Sequence, residues 1–64
     1  MIKFKEIEIG TKFMFRSSGA ATVYVALNVT KISECITEVL CEGVNSGRKS
    51  TFKKINSVRV LKFD

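Results

Sequence analysis

The sequence predicts a small all-β domain, and three observations carry that prediction. Apolar and polar residues alternate with a period of two over several short runs. Those runs are rich in Val, Ile, Thr, Phe and Tyr, residues that suit a half-buried pleated surface. Glycines at 10, 19, 43 and 47 punctuate the runs, and the chain has no proline. Sixty-four residues are enough for one domain, spanning 1–64. A chain of this size buries only about 60% of the surface that its unfolded form exposes, so most apolar side chains are expected in the core.

Residues 2–9 read as an extended lead-in anchored by Ile2, Phe4, Ile7 and Ile9. A first strand begins at Gly10-Thr11, with Phe13 and Phe15 on one face and Lys12, Met14 and Arg16 on the other. Ser17-Ser18-Gly19-Ala20 is a turn. The strongest strand runs from Thr22 to Ile32. Val23, Val25, Leu27 and Val29 share one face, and Tyr24, Ala26, Asn28 and Thr30 share the other. Ser33 to Val44 admits two readings. Ile32, Cys35, Ile36, Val39, Leu40 and Gly43 fall at helical spacing with Ser33 as N-cap, which would make an α+β fold with a helix at about 33–43. As a strand, the same segment puts Val39 and Cys41 on one face and Glu38, Leu40 and Glu42 on the other. Its Ile, Thr, Val and Cys are indifferent helix formers, which favours the strand.

Asn45-Ser46-Gly47-Arg48 is a turn signal. Thr51 to Lys54 is a short strand carrying Phe52, and Lys54-Ile55-Asn56-Ser57 is a tight connection. Val58 to Phe63 closes the chain as a strand, with Val58 and Val60 on one face. Five short strands with tight turns suggest a small barrel, because closure removes exposed sheet edges. The SH3-like barrel is the economical version at this length, and Ile55-Asn56-Ser57 is placed to supply a helical turn before its last strand.

The longest uncharged stretch, Ser17 to Thr30, is too short and too rich in Gly, Ser, Thr and Asn to span a bilayer. The opening Met1-Ile2-Lys3-Phe4-Lys5-Glu6 carries charges where a signal peptide has its apolar run. A cytoplasmic protein is therefore expected. Cys35 and Cys41 lie six residues apart, about 20 Å in a strand or about 9 Å in a helix. A disulfide needs Cα atoms within about 7 Å, so reduced structural thiols are expected. Asn28-Val29-Thr30 matches a glycosylation sequon and is taken as chance.

The segment Phe4-Lys5-Glu6-Ile7-Glu8-Ile9-Gly10-Thr11-Lys12-Phe13 resembles a pattern in short phage-encoded proteins, roughly F-x-(D/E)-(I/L)-x-x-G-(T/D)-x-F. The resemblance continues through Tyr24-Val25, the glycine-containing hairpin at Gly47 and Phe52, and ends with Val58-Arg59-Val60-Leu61. Many such proteins carry a Lys two residues after the Tyr, where this chain has Ala26. The resemblance implies a phage-like SH3-type barrel in a bacterial host cytoplasm. It implies little about activity, because fold alone does not settle function.

No catalytic set is apparent. The chain has no histidine, so the usual acid–base near neutral pH is missing. Two cysteines without histidine make a poor zinc set. Neither cysteine sits in a motif that would lower its pKa. Glu34, Glu38 and Glu42 could form a carboxylate row for a divalent cation, but read more simply as a solvated face. Ser46-Gly47-Arg48-Lys49-Ser50 lacks the glycine spacing of a phosphate loop. The expectation is a non-enzymatic protein with no cofactor and no metal.

The charge is more informative. The net charge is +5 and the isoelectric point is near 9.6. Arg48, Lys49, Lys53, Lys54, Arg59 and Lys62 follow one another with no acid between them. On a hairpin tip and outer face they would follow a phosphate backbone, with affinity that falls steeply with salt. Tyr24 and Phe52 are the aromatics placed to stack on a base, although Phe52 also fits a core position. The candidate binding residues are therefore Arg48, Lys49, Lys53, Lys54, Arg59 and Tyr24. Nucleic acid is the first expected partner. The second is an acidic host protein that the chain would modulate or inhibit, bound by strand addition or through the charged surface. A homodimer formed by pairing open sheet edges is a further reading.

Overall fold

The structure, a computed structural model, describes residues 1–15 and 22–63. The chain forms β1 (Ile2–Lys3), a 3-10 turn (Phe4–Glu6), β2 (Lys12–Phe15), β3 (Tyr24–Lys31), β4 (Ile36–Gly43), β5 (Lys49–Ile55) and β6 (Arg59–Phe63). All six strands join one antiparallel sheet in the order β1-β6-β2-β3-β4-β5. The fold is all-β, as expected. Among the described residues it has six strands rather than five, and their ladder is not closed, with β1 and β5 as its edges. The expected turn at Ser17–Ala20, and Arg16 before it, lie outside the described residues. No helix among the described residues is long and apolar enough to cross a membrane.

Residues 33–43 are not a helix. Ser33 to Cys35 form the bend of a hairpin, and β4 follows with strict alternation of buried and half-buried residues. Thr37, Val39 and Cys41 point into the core and are fully buried. Glu38, Leu40 and Glu42 take the other face. The β-branched and cysteine side chains that weaken a helix here pack well against the neighbouring strands.

β3 departs from simple alternation. Ala26 pairs with Cys41 and Asn28 with Leu40, so Leu27 is an extra residue in a bulge. The bulge switches which parity faces inward. Before it, Tyr24 and Ala26 face the core; after it, Val29 does. The four apolar residues expected on one face are thereby divided. Val25 stands opposite Glu42 on the outer face, and Leu27 is left exposed.

The N-terminal lead-in is also more structured than a simple extension. β1 pairs with β6, and the chain then turns through Phe4–Glu6, where the Glu6 carboxylate accepts the Lys3 N–H at 2.7 Å. Phe4 and Ile7 are buried, but Ile9 is 69% exposed and anchors nothing. Two glycines supply positive φ at turns, Gly10 at 92° and Gly47 at 69°. The Gly47 N–H donates to the Gly43 carbonyl at 2.9 Å, which closes the β4–β5 hairpin. β5 starts at Lys49, earlier than expected.

The sheet curls on itself. β2 and β5 are separated by β3 and β4, which in a flat sheet would hold them about 14 Å apart. Yet the Phe15 ring of β2 lies 4.7 Å from the Phe52 ring of β5. The core fills the resulting concave side with Phe4, Ile7, Phe13, Ala26, Val39, Cys41 and Val60. The 3-10 turn packs against β4 and β5, and the Phe4 N–H donates to the Val58 carbonyl at 2.6 Å. Phe4 is thereby held in the core.

Ile55 ends β5, and Asn56-Ser57 form a single turn, closed by the Val58 N–H donating to the Ile55 carbonyl at 3.1 Å, with no longer helix. Its Asn56 ties the turn to the β3–β4 hairpin. The Asn56 Oδ1 accepts the Thr37 hydroxyl at 2.6 Å, its Nδ2 donates to the Glu34 carbonyl at 2.7 Å, and its backbone N–H donates to the Cys35 carbonyl at 2.7 Å. Thr37 is the buried polar side chain among the described core residues, so its hydroxyl needs this partner. Asn56→Ala should lower unfolding free energy by about 1–3 kcal/mol. In urea denaturation, adding Thr37→Val should then cost less than it does alone, because the two groups share one bond. The exposed Thr51→Ala should change stability by no more than about 0.5 kcal/mol.

Candidate nucleic-acid interface

The inward row of β5 brings charge and aromatic surface together. Gly43 pairs with Arg48 through the Gly43 N–H and the Arg48 carbonyl at 2.8 Å, which extends the β4–β5 register. Arg48, Ser50, Phe52 and Lys54 therefore project to the concave side, and Lys49, Thr51, Lys53 and Ile55 project outward. Opposite this row stand Phe15 and Tyr24. The Tyr24 ring is 5.2 Å from Phe52 at 73°, and Phe15 is 6.3 Å from Tyr24 at 69°. These edge-to-face arrangements are the favourable ones for aromatic quadrupoles.

Five of the six aromatic residues belong to this cluster. Phe4 and Phe13 are its buried base, at 6.2 Å and 5.8 Å from Phe15. Phe15, Tyr24 and Phe52 form its half-buried rim. The Lys54 Nζ sits 5.5 Å from the centroid of the Phe15 ring, within cation–π range. Arg48 is at the other end, where it lines a cavity with Thr22, Tyr24, Ser46 and Ser50. An aromatic rim is thus flanked by a cation on each side.

The expected binding residues divide among three places. Arg48, Lys54 and Tyr24 come together here. Lys49 and Lys53 lie on the reverse face of β5, directly opposite Glu42 and Glu38. Arg59 is on β6 opposite Lys3, beside Glu6. The unbroken cationic run in the sequence is therefore not one continuous surface. Lys62, the last cation of the run, lines a separate hollow with Glu6, Glu8 and Lys12.

Phe15 is a rim residue that the sequence reading did not select. The available signal was its alternation with Phe13, which marked it as core. Its half-exposure depends on the curl of the sheet. Tyr24 faces the concave side for a reason equally hidden, the bulge at Leu27.

No cluster of three or more Cys, Asp or Glu side chains suited to a metal ion occurs among the described residues. Cys35 is exposed and Cys41 buried, and both are free thiols. The Cys41 thiol donates to the Ser50 carbonyl at 3.4 Å, and burial pushes its pKa from 9.0 up to about 11. Compared with known proteins, the chain matches no family model, no curated protein and no solved structure.

The two thiols should differ sharply in reactivity. At pH 8, Ellman's reagent should modify Cys35 quickly and Cys41 only after denaturation. The raised Cys41 pKa also sets a pH dependence. Below about pH 9 the thiol is protonated in both folded and unfolded chains and adds no slope. Between about pH 9 and 11 the unfolded chain loses this proton first, so stability falls as pH rises. Urea titrations of wild type and Cys41→Ala should show a steeper alkaline decline in the wild type.

Proposed function

We propose that this chain is a non-enzymatic binding module whose partner is single-stranded nucleic acid. One observation carries the reading: Arg48 and Lys54 flank the half-buried rim of Phe15, Tyr24 and Phe52 on one side of β5. Base stacking on aromatic rings contributes about 1–3 kcal/mol per base and tolerates any sequence. The cations stand six residues apart, about 20 Å along an extended segment, and hold phosphates several nucleotides apart on the bound strand. A duplex keeps its bases stacked internally and offers this rim nothing to stack, so single strands are favoured. Lys49, Lys53 and Arg59 add to the attractive field rather than to the contact, and the net charge of +5 acts in the same direction.

The scaffold reading that accompanies this proposal is a small SH3-like barrel left open at one seam. It is supported by the curl of the sheet, by β6 lying beside β2, and by the 3-10 turn packing against β4 and β5. A cytoplasmic location, in a bacterial host if the chain is phage-encoded, fits a nucleic-acid partner.

A second reading has its own support. β5 is an edge strand of seven residues, and an edge presents unpaired backbone groups to an added strand. Lys49, Lys53 and Lys54 disfavour pairing of this edge with its own copy and favour an acidic strand from a host protein.

Fluorescence anisotropy with labelled oligo-dT and oligo-U tests the first reading. Binding should be measurable at low salt and weaken with a slope of about −0.7 per neutralised phosphate. The double variant Arg48→Gln/Lys54→Gln should bind at least about tenfold more weakly, a loss of about 1.4 kcal/mol, whereas Lys49→Gln/Lys53→Gln should lose less. No binding at low salt would reject the proposal. A lysate partner retained after nuclease treatment would favour the protein reading instead.

A further inference from the structure

The cavity at the Arg48 end of the rim has a composition of its own. Its lining is Thr22, Tyr24, Ser46, Arg48 and Ser50, and its volume is about 540 Å³. Four of these five residues carry hydroxyls and the fifth a guanidinium; no carboxylate of a described residue lines it. A hydroxyl can donate, and Arg presents five N–H donors in a planar fork that matches phosphate oxygens. The Ser46 Oγ accepts the Arg48 backbone N–H at 3.3 Å, which leaves its own O–H free to donate elsewhere. Ser50 sits two residues along the same inward row. These donor-bearing residues border one space, and that space suits an anion.

The size and the remaining wall narrow the ligand. A volume of about 540 Å³ is more than a lone oxyanion needs and lies in the range of small-molecule sites. The Tyr24 ring lines the cavity and also belongs to the aromatic rim, so the anion site adjoins an aromatic surface. The ligand should thus combine a phosphate with a planar ring one sugar away.

We infer that the Thr22, Tyr24, Ser46, Arg48 and Ser50 cavity binds the phosphate of a nucleoside monophosphate unit, with its base on the Tyr24 side of the rim. The inference rests on the nucleic-acid reading and sharpens it. Arg48 engages the phosphate in a forked pair, and the hydroxyls of Ser46 and Ser50 take further oxygens. A terminal phosphate presents one more free oxygen than an internal phosphodiester and so uses more of these donors. Two sources supply this chemistry, a phosphorylated strand end and a free nucleotide.

Amide NMR titrations of the whole chain with UMP, uridine and inorganic phosphate test the site. UMP should shift Tyr24, Ser46, Arg48 and Ser50 and bind at least about tenfold more tightly than uridine. Arg48→Gln should remove that advantage, and Ser46→Ala/Ser50→Ala should reduce it; the amide spectrum of each variant reports whether it is folded. Equal binding of UMP and uridine, or shifts confined to other residues, would overturn the inference. If oligonucleotides still bound in that case, the proposed function would stand without it. UMP binding to this cavity with no oligonucleotide binding would keep the cavity assignment and overturn the strand reading. Comparison of oligo-dT with and without a 5′- or 3′-phosphate separates the sources. A preference of about tenfold for one phosphorylated end assigns the strand terminus, and equal affinity beside UMP binding assigns the free nucleotide.

Discussion

The packing of Phe15 against Phe52 is the contact on which the molecule depends. These rings belong to strands with two others between them in the sheet, and a flat sheet would hold them apart. Their 4.7 Å separation requires the sheet to roll until its two ends face each other. The described residues form no second layer over the sheet, so one sheet supplies both sides of its own core. Phe4 and Phe13 lie beneath that contact, and the bulge at Leu27 adds local twist where β3 must bend.

The same roll creates the candidate site. Aromatic residues close a small core well because each buries a large area. At the lip of an incompletely closed sheet they cannot be fully covered, and Phe15, Tyr24 and Phe52 remain half-exposed. The concave row of β5 begins and ends with a cation because Arg48 and Lys54 share parity with Phe52. A one-residue shift of the β4–β5 register would have sent Phe52 to solvent and brought Lys49 and Lys53 inward. Gly47, at positive φ in the hairpin, helps hold that register.

The opposite end of the molecule is held differently. There the Thr37–Asn56 bond and the Asn56 contacts to Glu34 and Cys35 join the β5–β6 connection to the β3–β4 hairpin turn through polar groups. Cys41 lies between this end and the aromatic rim, and its raised pKa reflects its burial beneath the sheet.

Much of the fold could be read directly from the residues. Alternation at Phe13 and Phe15, at Val39 and Cys41, and at Val58 and Val60 assigned strands and inward faces, because a side-chain period of two is a local property. Gly47 marked its turn because only a residue without Cβ accepts its backbone angle easily, whereas Gly10, expected to open a strand, sits in the turn before β2, and Gly43 ends β4 rather than breaking it. Beyond the strands, the sequence also determined a basic, histidine-free chain with cations concentrated in its last third. Tertiary structure decided which cations stand together. Lys49, Lys53 and Arg59 adjoin Arg48 and Lys54 in sequence but lie on other faces, two of them opposite glutamates of β4. The bulge that turns Tyr24 inward and the curl that brings Phe15 to Phe52 likewise depend on pairing between distant segments. Period and composition describe each segment alone; register and curvature arise only when segments meet.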